Sequence, residues 1–503
     1  MKHVKQLLSA LLVLAVVLSL LPAGVLKASA AEALAALDIG YPTFKNTELL
    51  DEVYDLSKLG VSYSEKDIMM AIYKQDLANG GDSFYMDRIL AREGVCNGNA
   101  GSNGNADGNT FLTRGRALYM YTSSPSVIGF GGNTAYHQPL GRGDLVRVLF
   151  SNADGSLTTK EDTSKRVNAP SNWSSTYSVG SNLTLDVVKF IHQENVAVTT
   201  MTLTNKSAED QAITVAADSI FATEPGKVTV NGAEQTELTG TCSSPAGLTT
   251  IYARMTGDGF EAASSDDYCW LSRDVTVPAG GSVELKVVIA FTTEEIPEST
   301  EQYLRFAGLG NLEAVRAQKA EYNLYWAENL PYIDVPKKAV QKAIDYRWWL
   351  ERFNSLDANI PGYDYQYPVT IEGVLGYNNA IILTQPMHLQ DTKWLRSPYL
   401  AYGQLLSAGN SSQSSAFLDN PGNRNNWNNH YGQYLAEAGY EAFNVIGGGA
   451  EVAENFAYYF GHDATGQLEH YGNHIEGRDL IAYRNNYMTG NDADTISMHA
   501  PGT

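Results

Sequence analysis

Between about residues 110 and 295 apolar and polar side chains alternate with a period of two. Val196, Val198, Thr200, Thr202 and Thr204 make one run of mostly β-branched side chains, and Ile213 and Val215 resume it after turn residues 206–210. Val283, Leu285, Val287 and Ile289 follow the turn Pro278-Ala279-Gly280-Gly281. Successive side chains on a strand point to opposite faces, so many short β-branched runs separated by turn signals predict a β-sandwich.

After Pro297 the spacing becomes helical. Leu312, Val315, Tyr322 and Trp326 share one helical face, and Pro336 opens a helix in which Val340, Ile344 and Trp348 fall at i, i+4 and i+8. Further helices are predicted over 379–394, 398–407, 431–446 and 451–460, with a long loop at 409–429. Ahead of the sandwich, residues 35–95 have mixed helical character, with Ile68, Met69, Ile72 and Leu77 at roughly helical spacing. A loop with almost no apolar side chains follows at 97–108. Its Asn103, Asn105, Asp107 and Gly108 imitate the front of a calcium loop, but Arg114 stands at the twelfth position, where a bidentate Glu is needed. The EF-hand reading is excluded.

The first residues carry a different signal. Met1-Lys2-His3-Val4-Lys5 is basic, residues 7–21 are almost all apolar, and Ala28-Ser29-Ala30 has the form of a cleavage site. Pro22 and Gly24 interrupt an apolar run already short for a membrane span. The expectation is a secretory signal over 1–30 and a secreted protein that does not engage the membrane after cleavage. The expected units are then a lead-in over 31–109, the β-sandwich over 110–297, a linker helix over 298–335 and a helical domain over 336–503. Two or three domains also suit a chain of 503 residues.

A formal charge of −21 opposes binding to nucleic acid or anionic membranes and leaves neutral or cationic partners, sugars among the neutral ones. The 30 Tyr and 7 Trp supply rings that stack on the apolar faces of pyranoses. Three cysteines in an exported chain leave one over. Cys242 and Cys269 lie in the strand-rich region and either close a disulfide or remain thiols.

Near the C-terminal end, Tyr487-Met488-Thr489-Gly490-Asn491-Asp492 forms a small-Gly-x-Asp turn. Glycoside cleavage needs a carboxylic acid beside the leaving oxygen and a second carboxylate on the opposite face of the sugar. The turn presents Asp492 for the first role, with Asn491 beside it as a substrate contact. Asp494 competes for the role, though its place after the turn suits a helix N-cap better. His470 and His474 flank Gly472-Asn473, a turn rather than a metal-binding helix face. No metal or cofactor is expected.

Two further motifs accompany that turn: Tyr346-Arg347-Trp348-Trp349-Leu350-Glu351-Arg352-Phe353-Asn354, and Gln385-Pro386-Met387-His388-Leu389-Gln390-Asp391-Thr392-Lys393-Trp394. Together the three resemble the six-hairpin inverting glycoside hydrolases, the group of trehalases, processing α-glucosidases and mannosylglycerate hydrolases, over about 300–503. The resemblance implies an (α/α)₆ toroid behind a β-sandwich and linker helix, with Asp492 as general acid. Where that group has an aromatic-Asp pair in an early hairpin loop, this chain offers Gln385, His388 and Asp391, which are expected to hold substrate. Trp394 and Trp427, in or beside loops, are expected stacking surfaces, and Trp348 and Trp349 are expected core. About three hairpins are counted, so the toroid is expected to be truncated and the catalytic base to lie beyond 503.

The expected function is an exported glycoside hydrolase, exo-acting and inverting, on oligo- or polysaccharides. The alternative is a non-catalytic carbohydrate-binding protein or an inactive remnant of such an enzyme. Mass spectrometry of the secreted form is expected to find an N-terminus close to Ala31; an extracellular chain that retains Met1 would remove the signal assignment.

Overall fold

A computed structural model describes residues 115–461, apart from 125, 137, 170, 244–249, 266–267, 331–334, 357–367, 372–382, 396, 412–433, 449, 451, 455 and 459. The calcium-like loop, Cys96, Trp427, Asn491, Asp492 and the two histidines near 470 lie outside the described residues. In chain order the strands begin with β1 (Leu118–Ser124), β2 (Gly129–Tyr136), β3 (Gln138–Arg142), β4 (Val146–Asn152) and β5 (Gly155–Ser156). Next come β6 (Thr159–Ala169), β7 (Asn172–Val179), β8 (Leu183–His192), β9 (Val196–Asn205), β10 (Gln211–Asp218) and β11 (Glu224–Val230). The series continues with β12 (Ala233–Ser243), β13 (Thr250–Gly257), β14 (Glu261–Ser265), β15 (Tyr268–Val277) and β16 (Ser282–Thr292).

These strands form two antiparallel sheets. The first runs β1-β2-β4-β10-β15-β14, with β3 on β2 and β5 on β4; the second runs β11-β12-β13-β16-β9-β8-β7-β6. Their inner faces share one core, in which Phe130, Val148, Val215 and Leu271 of the first sheet meet Leu185, Met201, Leu238 and Ile289 of the second. Inside this core the buried Lys189 ammonium of β8 crosses to the first sheet. It donates to the carbonyls of Val127 (3.0 Å) and Gly129 (2.7 Å) and lies 4.2 Å from the Trp173 ring centroid. Burial disfavours its charge and pulls its pKa down to about 7. Cys242 on β12 and Cys269 on β15 are free thiols, one in each sheet, so the disulfide alternative fails. Burial pushes both thiols up, Cys242 to about 11.

The two sheets differ on their outer faces. β9 and β16 are buried on both sides, because the residues that alternate with the inner-core positions pack beneath helices. Phe190, Val196, Val198, Val288 and Ala290 meet Tyr303, Phe306 and Ala307 of α1 (Pro297–Gly308) and Ala314 and Ala317 of α2 (Asn311–Asn329). A strand covered on both faces reads as a continuous apolar run, as Val287-Val288-Ile289-Ala290-Phe291 does. The predicted single linker helix is therefore two helices, broken at Leu309-Gly310. Of the predicted apolar face of the second, Val315, Tyr322 and Trp326 are packed and Leu312 is not. Leu312 is 58 % exposed, and the buried face carries Ala314, Ala317, Gln318 and Glu321, small or polar side chains that let the helix lie close to the strands.

Polar anchors fix that layer. The Asn311 amide donates to the carbonyls of Met201 (3.0 Å) and Leu285 (3.1 Å), and Gln318 donates to the Ser171 carbonyl (3.1 Å). Glu321 is the centre of the layer: Oε2 faces His192 Nε2 at 2.9 Å and Oε1 accepts from Arg305 Nη2 at 2.5 Å. The Glu194 amide donates to His192 Nδ1 (3.2 Å), which leaves the imidazole proton on Nε2, pointing at Glu321. Burial alone would raise the Glu321 carboxyl; the hydrogen bonds from His192 and Arg305 and the Arg305 charge outweigh it and hold the group below its ordinary value.

Beyond α2, α3 (Lys338–Asn354) leads into a two-stranded ribbon, β17 (Ser355–Leu356) and β18 (Val369–Thr370). Then follow α4 (Gln385–Thr392), α5 (Tyr399–Ser411), α6 (Leu435–Ile446) and helical residues around Val452 and Phe456. Tyr325, Trp326, Trp348, Trp349 and Phe353 join α2 to α3 in one cluster; Leu389, Tyr402, Leu405, Ala438 and Phe456 join the later helices in another. The sequence expectation of a helix over 379–394 reduces, among the described residues, to the two turns of α4.

Replacing Glu321 by Ala strands the Arg305 charge in a buried setting and is expected to cost about 3–5 kcal/mol in urea unfolding. Because the folded carboxyl is depressed, its contribution is complete above the ordinary carboxylate range and is lost as pH falls through the folded value. The stability gap between wild type and Glu321→Ala is therefore expected to close on acidification; a gap independent of pH would show that the carboxylate charge is not what holds the layer.

Candidate functional site

Arg347, Trp348, Glu351 and Asn354 lie on the last turns of α3, and Gln385, His388 and Asp391 repeat every three residues along α4. The two sets face each other. Arg347 grips Asp391 with both arms of its guanidinium, Nε to Oδ1 at 3.0 Å and Nη2 to Oδ2 at 2.5 Å. Trp348 Nε1 donates to the Asp391 carbonyl at 3.0 Å, and His388 Nδ1 faces Glu351 Oε1 at 2.7 Å. The hydrogen bond to Asp391 raises the Arg347 pKa above its ordinary value. An ionised carboxylate has about four acceptor positions, so Asp391 keeps capacity beyond the two that Arg347 uses.

The remaining motif residues fix the helices. Arg352 stacks 4.0 Å from the ring centroids of both Tyr322 and Tyr325 and donates to the Tyr322 carbonyl at 2.9 Å. Trp348 and Trp349 are buried, as expected. On the other side of α4, Gln390 (2.8 Å) and Lys393 (2.7 Å) both donate to Glu441 of α6. Trp394, just past the helix, is 51 % exposed with the Lys393 ammonium 5.4 Å from its ring centroid.

The ribbon carries the rest of the site. Val369 and Ile371 point into the sandwich core, as does Leu356. Thr370, between them, points the other way into the helices. Its hydroxyl accepts from Gln404 Nε2 of α5 at 3.0 Å and lies 3.2 Å from Ser355 Oγ, while its carbonyl accepts from Gln385 Nε2 at 3.1 Å. Helix α5 comes this close because Gly403 has no Cβ; one placed there would lie 2.2 Å from Pro368 Cγ.

Around Thr370 are four buried acceptor oxygens with no hydrogen-bond donor among the described residues: Glu351 Oε2, Asn354 Oδ1, Gln385 Oε1 and Gln404 Oε1. The Gln385 amide cannot be turned round to relieve this, since the Thr370 carbonyl it meets can only accept. An unpaired buried acceptor costs on the order of 1–3 kcal/mol, so such a group of them wants donors. Among the described residues no three His, Cys, Asp or Glu side chains converge as metal ligands would.

Of the residues the sequence singles out, the structure brings together Gln385, His388 and Asp391, places Trp394 one turn beyond them, and leaves Trp427, Asn491 and Asp492 outside its description. It adds Glu351, Thr370 and Gln404. Gln404 had a signal in the sequence, as a lone amide in the apolar run Tyr399-Leu400-Ala401-Tyr402-Gly403-Gln404-Leu405-Leu406. Thr370 had none, because its role depends on the sandwich beneath it.

No family model matches the chain. Among solved structures it is similar to a human-microbiome protein assigned as a kojibiose phosphorylase, with 8% identity and a TM-score of 0.42, covering 60% of this chain and 46% of that one. It is also similar to a family GH92 inverting mannosidase of Bacteroides thetaiotaomicron, with 11% identity and a TM-score of 0.42, covering 72% of this chain and 52% of that one. A second family GH92 α-mannosidase of the same organism has 11% identity and a TM-score of 0.36, covering 72% of this chain and 57% of that one. The chain spans about half the length of these proteins.

Arg347 is largely exposed, so its pairing with Asp391 is expected to contribute no more than about 1 kcal/mol to folding. Asp391→Asn should leave the urea midpoint nearly unchanged, with the Trp348 bond to the backbone carbonyl intact. A loss of several kcal/mol would show that the pair is structural and remove Asp391 as a candidate for ligand contact.

Proposed function

We propose that the protein is an exported glycoside hydrolase that removes terminal sugars with inversion, its helical region belonging to an (α/α)₆ toroid. The observation that carries this reading is the set of donorless acceptors around Thr370. Sugar hydroxyls are donors, and Glu351, Asn354, Gln385 and Gln404 offer them acceptor oxygens. His388 orients Glu351, Arg347 orients Asp391, and the exposed Trp394 offers a stacking face. These residues would bind and position the sugar.

Asp492, presented from its Gly490-Asn491 turn, would protonate the glycosidic oxygen. A carboxylate about 6.5–9.5 Å away would activate water on the opposite face. Dehydration of the pocket keeps such an acid protonated near neutral pH.

Aryl glycosides and glycosyl fluorides, with NMR detection of the first anomer released, test the proposal. Asp492→Asn is expected to lower turnover of unactivated substrates by about 10²–10⁴-fold and that of fluorides much less, since fluoride leaves without a proton. Glu351→Gln is expected to weaken sugar binding while the helices remain folded. Unchanged turnover in Asp492→Asn would remove the acid assignment, and retention of configuration would remove the inverting one.

A further inference from the structure

The outer face of the second sheet lies under α1 and α2, whereas the outer face of the first alternates between buried and exposed positions along β4, β10 and β15. On β15, Cys269 and Leu271 point into the core, so Tyr268, Trp270 and Ser272 point outward. Tyr268 and Trp270 stack with ring centroids 5.4 Å apart and planes 27° from parallel. Their neighbours on that face are small: Ala263 of β14 is opposite Trp270, and Ala216 of β10 is opposite Ser272 on one side and Leu149 of β4 on the other. The aromatic pair therefore stands as a ridge.

That ridge is held rigid. The Tyr268 hydroxyl donates to Asp218, whose two oxygens are also gripped by Arg147, Nε to Oδ1 at 3.2 Å and Nη2 to Oδ2 at 2.5 Å. The Asp218 side chain is nearly buried, but the Tyr268 residue it anchors is 44 % exposed and Leu149 is 47 % exposed. Anchoring a ring in place before its partner arrives lowers the entropy lost on binding.

We propose that this face binds a neutral polysaccharide chain, at a site separate from the helical region. Tyr268 is exposed and Trp270 partly so, and the apolar face of a pyranose stacks on such rings. Thr214, Ser272 and Asp274 line the same face with groups that bond to hydroxyls, Thr214 and Asp274 already oriented by their mutual 2.6 Å hydrogen bond. Charge decides between occupants. Arg147 and Asp218 neutralise each other, while Asp274 and, opposite Ser272, Glu261 of β14 leave the face acidic rather than cationic. A chain of net charge −21 repels anionic polymers and a second copy of itself but not a neutral glycan.

Affinity electrophoresis of the whole protein through gels holding soluble α-mannan, amylose or mixed-linkage β-glucan tests this inference. Retardation is expected in at least one gel. Trp270→Ala and Leu149→Glu, the second at an exposed position that tolerates change, are each expected to raise the apparent Kd about tenfold or more. Tyr268→Phe keeps the ring and is expected to keep most of the retardation; Glu351→Gln, which weakens sugar binding in the helical region, is expected to keep all of it, which separates this site from the proposed hydrolase centre. No retardation of the wild type in any gel, retention by both Trp270→Ala and Leu149→Glu, or a wild-type dimer that Trp270→Ala dissociates would overturn the proposal.

Discussion

The requirement that β8, β9 and β16 be covered on both faces governs the rest of the molecule. Three adjacent strands with apolar side chains above and below cannot face water, and among the described residues the segment that follows β16 closes over them. The break at Leu309-Gly310 lets α1 and α2 lie on the sheet as separate helices, and the Asn311, Gln318 and Glu321 contacts fix where the second one ends. That endpoint places the Tyr325 and Trp326 cluster, against which α3 packs through Trp348, Trp349 and Arg352. The candidate site is thus positioned by a chain of contacts that starts in the sandwich.

The two motifs on α3 and α4 illustrate how much of a functional-looking sequence serves to hold its own scaffold. Arg352, Trp348, Trp349, Gln390 and Lys393 are spent on helix packing and interhelical bonds. Glu351, Gln385 and Asp391 are held by neighbours but retain acceptor capacity. A buried polar group that is oriented and still unsatisfied differs from one that is merely buried: the first is poised for a ligand, the second completes a core.

Much of the sandwich could be read from the chain. The alternation at 283–289 lies on the inner face of β16, where side chains must be apolar, whereas that at 196–204 lies on the outer face of β9 and is apolar where α1 and α2 cover it. The helical packing faces were harder to read. In the first half of α2 the buried positions are Ala314, Ala317, Gln318 and Glu321, so a search for large apolar side chains found Trp326 correctly but also chose Leu312, which points to solvent. Cys242 and Cys269 share a region of sequence but fall in opposite sheets, a separation that spacing along the chain cannot reveal. The polar cluster was legible only in part. His388 and Gln385 stand out in their motif, whereas Thr370 is an ordinary residue whose importance comes from being the one side chain of its strand turned toward the helices.

That ribbon has a consequence for how the protein can be divided. Leu356, Val369 and Ile371 belong to the sandwich core by packing but to the helical region by chain order. A cut made between the two regions along the sequence would therefore leave a hole in one and an apolar surface on the other. The sandwich and the Thr370 cluster are inherited as a pair: any insertion, fusion or recombination that respects the fold must carry the ribbon together with the sheet that lies beneath it.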